Sequence, residues 1–128
     1  KQAGKKRIFL IDDEASIIES GQKALSRHGY QVMCCSSAIG ALDIFMKNPG
    51  QFDLILSDIG MPYLSGLDLA EQFLEKRPNL PIILFSGYGD HLTLKQAKEI
   101  GVEYILQKPF YSEELVGAIQ QTLNKRQT

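Results

Sequence analysis

Five short apolar runs, each separated from the next by a longer stretch with helical spacing of its apolar residues, constrain this chain more than any other feature. They predict strands over 7–11, 31–35, 53–57, 81–85 and 103–107. Short strands alternating with helices are the pattern of repeated βαβ units around a parallel sheet. The runs 53–57 and 81–85 are apolar nearly throughout, as expected of central strands covered on both faces. At 128 residues the chain is long enough for one domain with a buried core, without disulfides or a structural metal.

The intervening segments place their apolar residues at helical spacing. Ile18, Gly21, Leu25 and His28 line one face of the first, which Gly29 closes as C-cap. Ala38, Ala41, Leu42 and Phe45 line the second, with Ser36 or Ser37 as N-cap and Asn48-Pro49-Gly50 as its stop. Leu67, Ala70, Phe73 and Leu74 mark the third, ended by Arg77-Pro78-Asn79. The fourth, with Leu94, Ala97 and Ile100 in a polar sequence ending at Gly101, is weakest. The fifth carries Leu115, Ala118, Ile119 and Leu123; Ser112 opens it, and Glu113 and Glu114 suit the helix dipole.

Composition excludes several classes. A net charge of -1 gives no bulk attraction to nucleic acid, and Lys5-Lys6-Arg7 reads as a solvated leader before a strand. No apolar run approaches the ~20 residues of a membrane helix, and no signal peptide is visible. Cys34 and Cys35 are adjacent in a strand, so they point to opposite faces and read as buried thiols. They lack the spacing of a metal or redox pair, and so few cysteines fit a reducing cytoplasm. The chain opens Lys1-Gln2-Ala3-Gly4 rather than with methionine, which suggests a segment of a longer polypeptide.

Ligands of parallel α/β sheets bind at the carboxyl ends of the strands. Asp12 and Asp13 follow the first strand, Asp58 the third, Ser86 the fourth and Lys108 the fifth. Asp12, Asp13 and Glu14 crowd three like charges, which a hard divalent cation would relieve. Capping of the first helix is the alternative role for these acids, and Glu14 is assigned mainly to it. Asp58, before a loop stiffened by Pro62 and freed by Gly60 and Gly66, suits a carboxylate nucleophile that attacks phosphorus to form an acyl phosphate. Ser86 offers a hydroxyl donor and Lys108 a cation for phosphoryl oxygens. Singly each has a bland alternative, a turn former, a loop serine or a surface lysine; together they read as a magnesium-assisted phosphoryl-transfer site.

These residues, with Asp58-x-x-Met61-Pro62-x-x-x-Gly66 and Lys108-Pro109-Phe110, resemble the receiver domain of two-component response regulators over nearly the whole chain. The resemblance implies a (βα)5 flavodoxin-like fold with strand order 2-1-3-4-5. It implies a leader over 1–6, the receiver over 7–125 and a tail over 126–128. Asp58 would accept a phosphoryl group from a histidine kinase or histidine phosphotransfer domain. Mg2+ would be held by Asp13, Asp58 and the carbonyl of Gly60, with Asp12 assisting through water. Ser86 would contact the phosphoryl group and move on activation, Lys108 would pair with it, and the Lys108-Pro109 bond would be cis. The output would be a change of conformation controlling an attached or separate domain, in the cytoplasm, without direct contact to nucleic acid or membrane.

One departure concerns the switch. Most receivers place Tyr or Phe three residues before the lysine, where this chain has Ile105, with Tyr104 one place earlier and thus on the opposite face. Output would then run through the 86–92 loop and the fourth helix, unless Tyr104 acts through a strand irregularity. Gly60 and Tyr88, which in the family tune loss of the phosphoryl group, push in opposite directions. The run 88–110, with Gly101-Val102, resembles receivers attached to hybrid sensor histidine kinases.

Three other functions compete. A flavin- or nucleotide-binding protein of this topology needs a phosphate cradle after strand one, where this chain has Asp12-Asp13-Glu14. An aspartate-nucleophile phosphatase needs Asp-x-Asp there, which neither Asp12-x-Glu14 nor Asp13-x-Ala15 supplies. A non-phosphorylated receiver used as an interaction module is disfavoured because every charged site residue is present. His28 and His91 read as structural.

Overall fold

The computed structural model describes residues 5–87 and 94–125. In chain order the elements are β1 (Arg7–Ile11), α1 (Ala15–Arg27), β2 (Gln31–Cys35), α2 (Ala38–Lys47), a 3-10 turn (Pro49–Gln51), β3 (Leu54–Asp58) and α3 (Gly66–Lys76). They continue with β4 (Ile82–Ser86), α4 (Leu94–Glu99), β5 (Tyr104–Gln107) and α5 (Ser112–Lys125). The strands form one parallel sheet in the order β2-β1-β3-β4-β5, the expected flavodoxin-like topology.

Alternation along each strand divides the core into two layers. Phe9, Ile11, Ile55, Ile82 and Leu84 face α2, α3 and α4, joining Ala41, Phe45, Leu69, Phe73 and Ala97. Ile8, Leu10, Leu54, Leu56, Ile83 and Phe85 face α1 and α5, joining Leu25, Leu115, Ala118 and Ile119. Phe9 stacks on Phe52 at 4.3 Å between ring centres and Phe45 on Phe73 at 4.1 Å. Every residue of β3 and β4 is buried, as expected for interior strands.

The helix ends follow their caps. Ser37, rather than Ser36, caps α2 by accepting the Gly40 N–H. Ser65 and Asp68 form a reciprocal capping box at the start of α3. Gly29, at φ 88°, supplies the left-handed residue after α1.

The structure corrects the sequence reading at several places. β3 and β4 each begin and end one residue later than expected. Continuous apolar runs have no alternation to fix their ends, and backbone pairing sets them instead: Asp58 pairs with Phe85 and Ser86 with Gln107. His28 is exposed at the C-cap of α1, with Nδ1 3.0 Å from the Ala24 carbonyl, and Ala24 takes its place on the buried face. On α3, Leu69 joins Ala70 and Phe73 in the core, while Leu67 and Leu74 flank that stripe half-buried. Cys34 and Cys35 do point into opposite layers, but both are half-buried because β2 is an edge strand. Leu94 is exposed, so α4 contributes only Ala97 to the buried core.

Candidate functional site

The strand ends bring the acids together. The β1–β2 ladder runs one step beyond β1: the Asp12 N–H donates to the Cys35 carbonyl at 3.1 Å, holding a fully buried Asp12 at the sheet. Asp12 Oδ1 then accepts the Glu14 N–H at 2.9 Å. Asp58 is the buried last residue of β3; its carbonyl accepts the Ser57 hydroxyl at 3.0 Å. Buried Ser86 ends β4, and its carbonyl accepts the Lys108 N–H at 2.8 Å and the Gln107 side-chain amide at 3.3 Å. The Lys108–Pro109 peptide is cis, as expected.

Carboxylate oxygens of Asp12, Asp13 and Asp58 lie within 4.8 Å of one another, with Asp13 on the exposed side. Lys108 Nζ reaches into this group, 3.0 Å from Asp12 Oδ2, 3.3 Å from Asp58 Oδ1 and 2.7 Å from Glu14 Oε1. A pocket of about 500 Å³ opens over Asp58, Lys108 and Glu14, lined also by Ile17, Gly60, Gly87 and Phe110. Glu14 therefore departs from its assignment to the helix. It stands at the N-cap of α1, yet its side chain caps nothing and pairs with Lys108.

The electrostatics are unbalanced. Burial, then the charge of nearby Asp12, pushes the Asp58 carboxyl above the ordinary carboxylate range against the pull of Lys108. Burial raises Asp12 likewise, against the Glu14 N–H and Lys108. Burial alone would lower Lys108, but its hydrogen bond to Glu14 and the charged carboxylates of Asp12 and Asp58 beside it outweigh that and hold its ammonium well above the usual range. Asp12 Oδ2 has an ion pair with Lys108 but no hydrogen-bond partner. An orphaned buried oxygen beside two further carboxylates is a donor set that fits a hard divalent cation such as magnesium.

Tyr104 packs in the α1–α5 layer, while Ile105 packs in the opposite layer. The aromatic and the residue at the usual switch position thus face away from each other. Tyr88 and His91 lie outside the described residues. Two features escaped the sequence reading. Tyr63, in the loop after Asp58, has φ 72° and is 94% exposed. Phe110 packs its ring 4.9 Å from that of Phe85 beneath the pocket. No periodic pattern marks either, because both depend on loop conformation.

A smaller cleft of about 190 Å³ at the opposite end of the sheet is lined by Ile8, Val32, Met33 and Phe52, with Arg7 as its one ionisable group. It offers no carboxylate or nucleophile, so the chemistry belongs to the Asp58 end.

Comparison with known proteins agrees with this geometry. The family described as response regulator receiver domain matches residues 8–120. Response regulator protein TmoT of Ectopseudomonas mendocina is 33% identical over 118 residues, which cover 91% of this chain and 52% of TmoT. The chain thus spans about half the length of curated relatives of this kind. A response regulator receiver domain protein from Clostridium thermocellum superposes with a TM-score of 0.88 at 30% identity, covering 95% of this chain and 97% of that one. A CheY-like receiver domain protein from Methanospirillum hungatei gives 0.86 at 28% identity, covering 97% and 98%. With its (βα)5 topology and its acids at the ends of β1 and β3, the chain belongs to the response regulator receiver domain family of two-component signalling.

Proposed function

We propose that Asp58 is the phosphoacceptor of this domain and that Asp12, Asp13, Ser86 and Lys108 assist it. The observation that carries the reading is the convergence of Asp12, Asp13 and Asp58, with Lys108 bound among them and an open pocket over Asp58 and Lys108. In the reaction an Asp58 carboxylate oxygen bonds to the phosphorus of a phosphohistidine as the P–N bond breaks. The electron pair of that bond returns to the imidazole, and an acyl phosphate remains. Lys108, 3.3 Å from Asp58 Oδ1, neutralises charge on the transferring oxygens. Ser86, at the end of the neighbouring strand, donates its hydroxyl to them.

Asp13, Asp58 and the Gly60 carbonyl would hold magnesium, with Asp12 acting through water. When bound, the ion supplies charge neutralisation for phosphoryl oxygens. The domain so loaded catalyses its own phosphorylation and dephosphorylation, without turning over a metabolite. Added charge at Asp58 favours a rearranged conformation around Ser86 and α4, which an attached or separate output domain reads. The phosphodonor is a histidine kinase or histidine phosphotransfer domain. Residues 7–125 form the receiver, working in the cytoplasm without touching nucleic acid or membrane; no described helix is long and apolar enough to cross a bilayer.

Intact mass after incubation with acetyl phosphate tests this. A magnesium-dependent gain of ~80 Da, lost in Asp58→Asn, is the expected result. No gain in the native chain, even at short times and low temperature, would leave an interaction module as the function.

A further inference from the structure

Lys108 is held by more than the acids assigned to phosphoryl chemistry. Of its three carboxylate contacts the shortest is to Glu14, at 2.7 Å, and this one is a hydrogen bond. Asp12 Oδ2, by contrast, offers the ammonium an ion pair without a hydrogen bond. The side chain of Glu14 is 57% exposed and that of Lys108 only 13%, so Glu14 draws the ammonium toward the pocket mouth.

The N-cap position of Glu14 strengthens the argument. A carboxylate there could accept the orphan N–H groups of the first turn. Glu14 makes no such bond, and its carboxylate is committed to a residue 94 positions away.

An ammonium has three N–H donors, and three carboxylates already surround this one. A phosphoryl group on Asp58 brings additional oxygens into its reach. Asp12 is fully buried and cannot exchange Lys108 for solvent, whereas exposed Glu14 can be rehydrated at once. Glu14 is therefore the contact that gives way.

We propose that Glu14 is a positioning residue: it holds Lys108 at the pocket mouth in the resting domain and competes with the phosphoryl group for it. The inference rests on the phosphoacceptor reading above. It predicts that removing the Glu14 carboxylate tightens binding of a phosphoryl group, because Lys108 is then free to turn to it.

Beryllofluoride, a phosphoryl mimic, is the probe. Its affinity is measured calorimetrically at saturating magnesium for the native chain, Glu14→Gln and Glu14→Ser, in 0.05 M and 0.5 M salt. Serine is included because it restores an N-cap while removing the charge. Both variants should bind about five-fold tighter, the equivalent of about 1 kcal/mol for a part-exposed ion pair. The gain should persist in high salt, because a contact pair is screened far less than charges acting across solvent. Unchanged or weaker binding in variants with native unfolding midpoints overturns the proposal. So does a gain that vanishes in 0.5 M salt, which would be diffuse repulsion of the anion. A native chain that does not bind beryllofluoride with magnesium removes the phosphoacceptor reading and this inference with it.

Discussion

Neutralising Asp58 should make the metal-free protein more stable. At an effective dielectric near 20, two unit charges 4.8 Å apart interact by about 3.5 kcal/mol and two 3.3 Å apart by about 5 kcal/mol. Asp12 and Asp13 lie within the first distance of Asp58, and Lys108 at the second. The two repulsions exceed the one attraction by about 2 kcal/mol, and burial adds to the cost of the ionised carboxylate. Solvent around exposed Asp13 reduces the excess, so Asp58→Asn should gain about 1–2 kcal/mol, or roughly 5 °C in unfolding midpoint.

The assay is urea unfolding in a chelator across pH. Because Asp58 and Asp12 are raised in the folded state, that state binds more protons than the unfolded one between the unfolded value near ~3.9 and the higher folded values. Stability of the native chain should therefore fall as pH rises through that window, and Asp58→Asn should flatten the fall. Magnesium should then stabilise the native chain more than the variant. A variant no more stable than the native chain in chelator, or a gain equally large below pH 3, would refute the charge argument.

Substitutions at three further positions probe the loop behind Asp58. A Cβ on Gly66 would run into the Asp58 carbonyl oxygen, so Gly66→Ala should lose at least about 2 kcal/mol in urea unfolding and slow phosphorylation by acetyl phosphate. Tyr63 holds a left-handed conformation with its ring almost wholly in solvent; Tyr63→Asn should gain about 1 kcal/mol in thermal unfolding, and Tyr63→Ala should not, because strain and not ring exposure is relieved. Ser65→Ala breaks the capping box with Asp68 and should cost about 1 kcal/mol, with faster hydrogen exchange at the Asp68 amide.

The parts of the fold that were legible in the sequence are those where one residue type has one physical use. Gly29 after an amphipathic segment, and Asp12 and Asp13 after the first apolar run, fall where expected, and the pocket follows from parallel topology. Strand ends were less legible. In β3 and β4 both faces are covered, so no polar residue marks where pairing stops, and Asp58 and Ser86 turn out to lie within their strands. Glu14 was assigned to the helix because acids favour a first turn. Its partner Lys108 comes from the far end of the chain, and local patterns carry no such contact. Tyr63 was illegible for a related reason: left-handed backbone ordinarily announces itself by glycine or asparagine.

The adjacent thiols of the edge strand give the domain a pair of native probes. Cys34 sits in the layer of α1 and α5, Cys35 in that of α2 and α3, one residue apart along the chain but on opposite sides of the sheet. Burial, and then the neighbouring Cys35, raises the Cys34 thiol, which keeps its background reactivity low. With Cys35→Ser, alkylation of Cys34 reads the opening of one helical layer alone; with Cys34→Ser, Cys35 reads the other. Timed against loading of Asp58, the two single-thiol proteins would tell which side of the sheet loosens first, from thiols the chain already carries.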